Sequence, residues 1–139
     1  VIRVAGNIVA QSQIGSVEFA AQRFDTRLVV VMGHPQCGAV LATVEELERP
    51  SASQSDHISF IVDQIRPSVI PLMKTGLRHR HDELLHSAGR ANVLASANHL
   101  RHGSAILEQL VEKNGLLIVG AEYSLETGVV DFFDVPAPT

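Results

Sequence analysis

Two uninterrupted runs of apolar residues constrain the fold of this chain more than any other feature. They occupy residues 28–32 and 116–120. A strand with one solvated face alternates apolar and polar side chains, whereas a strand covered on both faces reads as a continuous apolar run, as in a parallel sheet. Helix-spaced apolar residues separate the two runs. The sequence therefore predicts an α/β fold in which helices flank a parallel β-sheet core.

The remaining elements follow from the local patterns. The β-branched segment 1–4 predicts a further strand, and Ser16 is a predicted N-cap of the first helix. A helix is predicted from Ala39 to about Leu47. A long helix is predicted over 91–113, with Val93, Ala97, Leu100, Leu107 and Val111 on its buried face. A final strand is predicted over 129–133, and the tail 136–139 is predicted to be disordered.

Composition excludes several classes of function. A length of 139 residues with 45% hydrophobic content predicts one domain with a real core. The net charge is −4, from 11 basic and 15 acidic residues, which argues against a nucleic-acid partner. No apolar run approaches the roughly 20 residues of a membrane span, so no membrane partner is expected. A single cysteine allows no disulfide within the chain.

The middle of the chain is polar, and we expect residues 74–89, its most charged part, to face solvent. Pro67 and Pro71 are expected to limit or kink the helix that precedes this part. Asp63 and Arg66 have the spacing of a helical ion pair. Five histidines lie in or after this part. We interpret His79, His81 and His86 as part of a solvated face, and His99 and His102 as surface or subunit-contact residues.

The residues best suited to chemistry are His34 and Cys37, in a Gly/Pro loop directly after the first apolar run. Ligands of open α/β sheets bind at the carboxyl ends of strands. An imidazole and a thiolate three residues apart in a turn can reach one ion, and this ligand pair suits zinc. Two alternatives remain open from the spacing alone. Cys37 is an inert buried thiol, or it is a nucleophile with His34 as its base.

Four segments, in this order, resemble the β-class carbonic anhydrases over most of the chain. They are Arg3-Val4-Ala5-Gly6-Asn7, Gly15-Ser16-Val17-Glu18-Phe19-Ala20, Val29-Val30-Val31-Met32-Gly33-His34-Pro35-Gln36-Cys37-Gly38-Ala39-Val40, and Leu117-Ile118-Val119-Gly120-Ala121-Glu122-Tyr123 through Thr127-Gly128. Val4 departs from the Asn usual in the family, and Phe19 stands where Tyr is common. The resemblance implies a parallel sheet that closes with a C-terminal antiparallel hairpin strand.

The resemblance also implies a zinc ion held by two cysteines and one histidine. His34 and Cys37 match the second and third of these ligands. The first ligand belongs to a Cys-x-Asp-x-Arg motif on a strand that precedes the Arg3 segment, and the given sequence begins after it. We therefore expect residues 1–139 to form a single β-carbonic anhydrase-like domain without its N-terminal helix and first strand. That strand would lie between segments 1–4 and 28–32.

The function implied is that of a lyase, the zinc-dependent reversible hydration of carbon dioxide to bicarbonate and a proton. No side chain is assigned as catalytic beyond the zinc-bound water. The Gly38 N–H, at a helix start, would donate to a bicarbonate oxygen. Phe19 would be an apolar wall of the substrate pocket; the alternative is an ordinary core aromatic. The family also implies a homodimer or a larger even assembly.

Two other classes of function remain. The first is a non-catalytic, zinc-free scaffold, because one cysteine ligand and the Asp/Arg pair are absent from this chain. The second is a thiol enzyme that uses Cys37. Zinc content separates the scaffold from the anhydrase, and alkylation of Cys37 that stops activity without releasing metal would identify the thiol enzyme.

Overall fold

The computed structural model describes residues 1–137; the last two residues of the predicted disordered tail lie outside them. The helices and strands, in chain order, are α1 (Gln11–Arg23), β1 (Leu28–Gly33), α2 (Gly38–Glu48), α3 (Asp56–Met73), α4 (His81–His102), α5 (Ala105–Lys113), β2 (Leu117–Tyr123) and β3 (Val130–Asp134). Two 3-10 turns, Ala5–Asn7 and Gly76–His79, complete the set. Within residues 1–137, no helix combines the length and apolar character needed to cross a membrane.

The sheet has the strand order β1-β2-β3. β1 and β2 are parallel, and their register runs from Leu28 opposite Leu117 to Gly33 opposite Glu122. β3 pairs with β2 in the antiparallel direction after a turn that ends at Gly128, whose φ of 74° is left-handed. These pairings confirm the predicted class, a parallel core flanked by helices with an antiparallel final strand.

Helix α4 connects the two parts of the hydrophobic core. Its Val93 and Ala97 pack in one cluster with buried residues of α1, α5 and the parallel strands. Its Leu84 and Ala88 pack in a second cluster with α2 and α3. Val93, Ala97, Leu100 and Leu107 are buried as predicted. Leu84 and Ala88 are also fully buried, so the prediction that residues 74–89 face solvent is wrong for one side of this helix.

The predicted strand over residues 1–4 is wrong for the described chain. Val4 has an extended backbone (φ −132°, ψ 155°), but the segment joins no ladder and its side chains are exposed. A strand is stabilised by hydrogen bonds to a neighbour, which local β-propensity cannot supply. For the same reason β1 is less buried than its apolar run predicts. Its outer edge has no partner among residues 1–137, and Leu28 and Met32 are exposed.

Three helix boundaries also differ from the sequence interpretation. Ser16 lies inside α1, where its hydroxyl donates to the Ser12 carbonyl at 2.7 Å, because the helix already begins at Gln11. The long helix predicted over 91–113 is two helices, since Ser104 accepts a hydrogen bond from the Leu107 N–H and starts α5. α3 continues through both of its prolines to Met73, because its buried side chains hold it against α2 and α4.

Candidate metal centre

The loop between β1 and α2 places the two predicted metal ligands. Gln36 adopts a left-handed φ of 56°, which folds the four residues from His34 to Cys37 into a tight turn. Cys37 occupies the N-cap position of α2, with φ −64° and ψ 119°, and is half-buried. Gly38 is the first residue of the helix, so its backbone N–H has no acceptor within the helix. The predicted residues therefore lie at the carboxyl end of β1, as expected.

The ring of His34 is held by its own loop. Its Nδ1 lies 2.8 Å from the Pro35 carbonyl oxygen. A carbonyl only accepts hydrogen bonds, so this contact requires the proton on Nδ1 and leaves the Nε2 lone pair free. Metal-ligating histidines show this arrangement, with the second ring nitrogen donating to a carbonyl or a carboxylate. His34 is therefore in the tautomer that a zinc ligand needs.

A small pocket lies beside this loop. Its lining residues come from the loop, from α2 and α4, and from the end of β2: His34, Pro35, Gln36, Cys37, Val40, Leu85, His86, Gly89 and Glu122. The structure thus brings His34 and Cys37 to one surface. It also brings there His86, which was predicted only to face solvent and whose side chain is 54% exposed. Since part of the imidazole faces the pocket, that prediction is incomplete.

Phe19 does not line this pocket. Its side chain is 57% exposed on α1 and contacts the ring of Phe24 edge to face, with 5.7 Å between the centroids. It is therefore not a buried core aromatic within the described residues. Its assignment to a substrate pocket stays a prediction.

An ion-pair cluster holds the pocket residue Glu122. Nη2 of Arg90, on α4, lies 3.3 Å from Glu122 Oε1 and 2.5 Å from Asp131 Oδ2 on β3. The same guanidinium lies 4.5 Å from the centroid of the Phe133 ring. His86 Nδ1 lies 3.8 Å from Glu122 Oε2. Arg90 therefore connects α4 with both strands of the hairpin, directly beside the pocket.

The charges of this cluster favour the ionised guanidinium. Burial opposes the charged form, but the hydrogen bond to Asp131 and the charge and hydrogen bond of Glu122 outweigh it, so the pKa of Arg90 is raised. Glu122 is the more shielded of the two carboxylates, with 12% of its side chain exposed against 56% for Asp131. Water therefore screens the charge of Glu122 less than that of Asp131.

Sequence reasoning missed Glu122 and Arg90. The available signal was the single charged residue near the end of an otherwise apolar strand, Leu117–Tyr123. A carboxylate in such a strand needs a cationic partner. The partner is 32 positions away in sequence, on a different element, and no local pattern identifies it.

The segment of residues 3–7, the first of the four that resemble the family, is held in place by hydrogen bonds from α4. Asn92 Nδ2 donates to the Gly6 carbonyl at 2.6 Å, and the Ser96 hydroxyl donates to the Asn7 carbonyl at 2.8 Å. Gly6 has a φ of 68°, and a Cβ on it would lie 2.6 Å from Ile65 Cδ1. Only glycine fits this position, which explains its place in the motif.

The described residues do not complete a metal site. Within residues 1–137, no group of three or more His, Cys, Asp or Glu side chains is close enough together to hold a metal ion. Zinc sites use at least three protein ligands, so His34 and Cys37 would supply two of them. The residues present fit part of a zinc site: a thiol and an imidazole in the ligating tautomer.

The family model for carbonic anhydrase matches residues 1–130. This chain belongs to the β-class carbonic anhydrases. The carbonic anhydrase of Mycolicibacterium smegmatis is 33% identical over 131 residues, which are 94% of this chain and 61% of that protein. Carbonic anhydrase 2 of Mycobacterium tuberculosis is 29% identical over 128 residues, 92% of this chain and 59% of the relative. The chain thus spans about three-fifths of the length of these curated carbonic anhydrase relatives.

Solved β-carbonic anhydrases have the same fold. The enzyme CafA of Aspergillus fumigatus superposes with a TM-score of 0.80 at 20% identity, over 99% of this chain and 64% of that one. The Coccomyxa β-carbonic anhydrase, solved with acetazolamide, superposes with a TM-score of 0.79 at 20% identity, over 95% of this chain and 59% of that one. One of the tetrameric β-carbonic anhydrases of Sordaria macrospora superposes with a TM-score of 0.75 at 16% identity, over 93% of this chain and 64% of that one. At such identities the likeness establishes the fold alone.

Proposed function

We propose that this protein catalyses the reversible hydration of carbon dioxide to bicarbonate and a proton, with a zinc ion bound by His34 and Cys37. Membership of the β-class carbonic anhydrases supports the reaction. The observation that carries the metal assignment is the 2.8 Å contact between His34 Nδ1 and the Pro35 carbonyl, because it frees Nε2 for a metal. Cys37, the chain's one cysteine, is in the same turn.

The remaining zinc ligands would come from residues outside the described chain. The outer edge of β1 has no partner among residues 1–137 and lies beside the metal ligands, so one more strand there could carry a further ligand. We infer that residues 1–139 form one domain of the β-carbonic anhydrase fold that lacks its N-terminal helix and first strand. The share of CafA that is matched, 64%, agrees with this.

Bound zinc would supply Lewis acidity, which makes water nucleophilic near neutral pH. The chain's own residues would do the rest. Val40 and Leu85 give the pocket apolar walls, which suit the uncharged gas. The Gly38 N–H, free at the start of α2, would donate to an oxygen of bicarbonate. Phe19 keeps its proposed place as a pocket wall only if another part of the assembly brings it there.

An even-numbered assembly is part of this proposal. Relatives from Sordaria macrospora with this fold are tetrameric. In the present chain, Phe19, Phe24 and Leu28 are large apolar side chains that remain exposed around the end of α1 and the start of β1. Burying them against a second copy would remove that apolar surface from water.

The test measures zinc per chain by elemental analysis, and carbon dioxide hydration by stopped flow, on one preparation. About one zinc per chain with hydration activity is the expected result. His34→Gln and Cys37→Ser should each lose both, while His79→Gln, in the exposed turn Gly76–His79, should retain both. Zinc retained in both ligand variants would overturn the assignment.

One observation favours a zinc-free scaffold instead: the described residues supply only two of the ligands that a zinc ion needs. A folded protein with no zinc and no hydration activity would establish that alternative. The thiol-enzyme alternative predicts that alkylating Cys37 stops an activity while any bound zinc is retained.

A further inference from the structure

The ion-pair cluster beside the pocket is not electrically balanced. Two carboxylates, Glu122 and Asp131, share the one guanidinium of Arg90. His86 Nδ1 lies 3.8 Å from Glu122 Oε2, beyond hydrogen-bond distance, and its side chain is 54% exposed. Among Glu122, Asp131 and Arg90, one carboxylate is therefore left without a guanidinium of its own.

The position of Glu122 brings this charge to the pocket. Glu122 lines the pocket together with His34 and Cys37, and it pairs in register with Gly33, the residue before His34. Its carboxylate is 12% exposed, whereas Asp131 is 56% exposed and does not line the pocket. Glu122 is therefore the carboxylate of this cluster that faces the pocket, and water screens its charge less than that of Asp131.

We propose that Glu122 is a specificity-determining residue whose carboxylate repels anions from the pocket beside Cys37, and that Arg90 limits this repulsion. The inference deepens the proposed function and rests on it for its biological meaning. Carbon dioxide is uncharged and is not repelled, whereas bicarbonate is an anion. The Gly38 N–H would attract bicarbonate and Glu122 would weaken its binding, which favours release of the product.

The reactivity of Cys37 tests this electrostatic effect without any metal. Iodoacetamide is neutral and iodoacetate is anionic. Both alkylate the same thiolate, forming a thioether and releasing iodide. The ratio of the two rate constants therefore cancels the fraction of thiolate and reports the local potential. The reaction is followed at Cys37 by peptide mass mapping of the metal-free protein at pH 8.

Glu122→Gln should raise the ratio of iodoacetate to iodoacetamide rates about fivefold, as expected for one unit charge at a part-exposed site with solvent screening. Asp131→Asn is the matched control, because it removes the other partner of Arg90 outside the pocket, and it should change the ratio less than twofold. Arg90→Gln should lower the ratio. Added salt should reduce all of these differences.

Opposite signs for Glu122→Gln and Arg90→Gln separate an electrostatic role from a structural one, since loss of packing would change both variants in the same direction. An unchanged ratio in Glu122→Gln, or equal changes in Glu122→Gln and Asp131→Asn, would overturn the inference. If Arg90→Gln does not fold, the alkylation ratios of Glu122→Gln and Asp131→Asn still test the inference.

A second measurement connects the effect to the reaction. In the zinc-loaded enzyme, Glu122→Gln should lower the KM for bicarbonate several-fold, while the KM for carbon dioxide stays within twofold. Failure of the proposed function would appear as absent zinc and absent hydration, whereas failure of this inference would appear in the alkylation ratio, which needs neither. A ratio that rises while the KM for bicarbonate stays unchanged would overturn the role in product release.

Discussion

The two parallel strands end side by side but differ in how their terminal side chains are bound. At the end of β1, His34 makes one side-chain contact to its own loop, and the Cys37 thiol has no hydrogen bond among the described residues. At the end of β2, Glu122 is paired with Arg90, which also bonds Asp131 and stacks on Phe133. Side-chain atoms with free lone pairs, such as His34 Nε2, suit metal binding. A carboxylate already paired with a guanidinium, such as that of Glu122, is held in one position. This difference supports the proposed metal binding at the end of β1 and the proposed charge control at the end of β2.

The largest expected effect falls on the end of β1. Cys37→Ala should lower zinc affinity more than about 100-fold, since the outer contacts of a metal site already contribute 10- to 100-fold. The free energy of unfolding of the metal-free protein should change by less than about 1 kcal/mol, because the thiol is half-buried and makes no hydrogen bond. Chelator competition and urea denaturation measure the two quantities. A large loss of metal-free stability would contradict the division between the strand ends.

The next effect compares the two glycines that flank the loop. A Cβ on Gly33 would lie 2.7 Å from Val93 Cγ2, whereas a Cβ on Gly38 would meet nothing within 4 Å. Gly33→Ala should therefore lower the free energy of unfolding by about 1–3 kcal/mol. Gly38→Ala should be neutral or stabilising by up to about 1 kcal/mol, because alanine favours the helix. Urea denaturation of both variants measures the difference. Equal changes in the free energy of unfolding would show that contact with Val93 of α4 does not determine the effect of Gly33→Ala.

A smaller loss of stability is expected at the end of β2. Arg90→Met should lower the free energy of unfolding by about 1–2 kcal/mol, because it removes a cation–π contact and leaves Glu122 without its partner. Zinc per chain should remain at the level of the parent protein. Thermal denaturation with parallel elemental analysis gives both values. Loss of zinc with unchanged stability would reverse the roles of the two strand ends.

The smallest effect is expected for the exposed carboxylate. Asp131→Asn should change the free energy of unfolding by about 0.5 kcal/mol or less, as is usual for solvent-exposed ion pairs. Glu122→Gln, in the shielded position, should cost more. Urea denaturation of the two variants measures both free energies of unfolding. Equal losses would show that the two partners of Arg90 do not differ in their contribution to stability.

Much of the fold was predictable because its signals are local. The apolar runs gave β1 and β2 their type and direction, and helical spacing identified buried residues of α4 and α5, although it did not predict the break between these two helices. The ion pair between Asp63 and Arg66 was also predicted, and it is present at 3.2 Å. The predicted strand over residues 1–4 failed because a strand also needs a neighbour.

The sequence by itself determined the α/β class, the resemblance to the β-class carbonic anhydrases, and the pair of His34 and Cys37. All of these depend on residues that are close together in the chain. Only the tertiary structure decided that Glu122 and His86 share the pocket with this pair, that Arg90 holds Glu122, and that Phe19 lies outside. Those contacts join residues of different elements, and packing rather than local spacing brings them together.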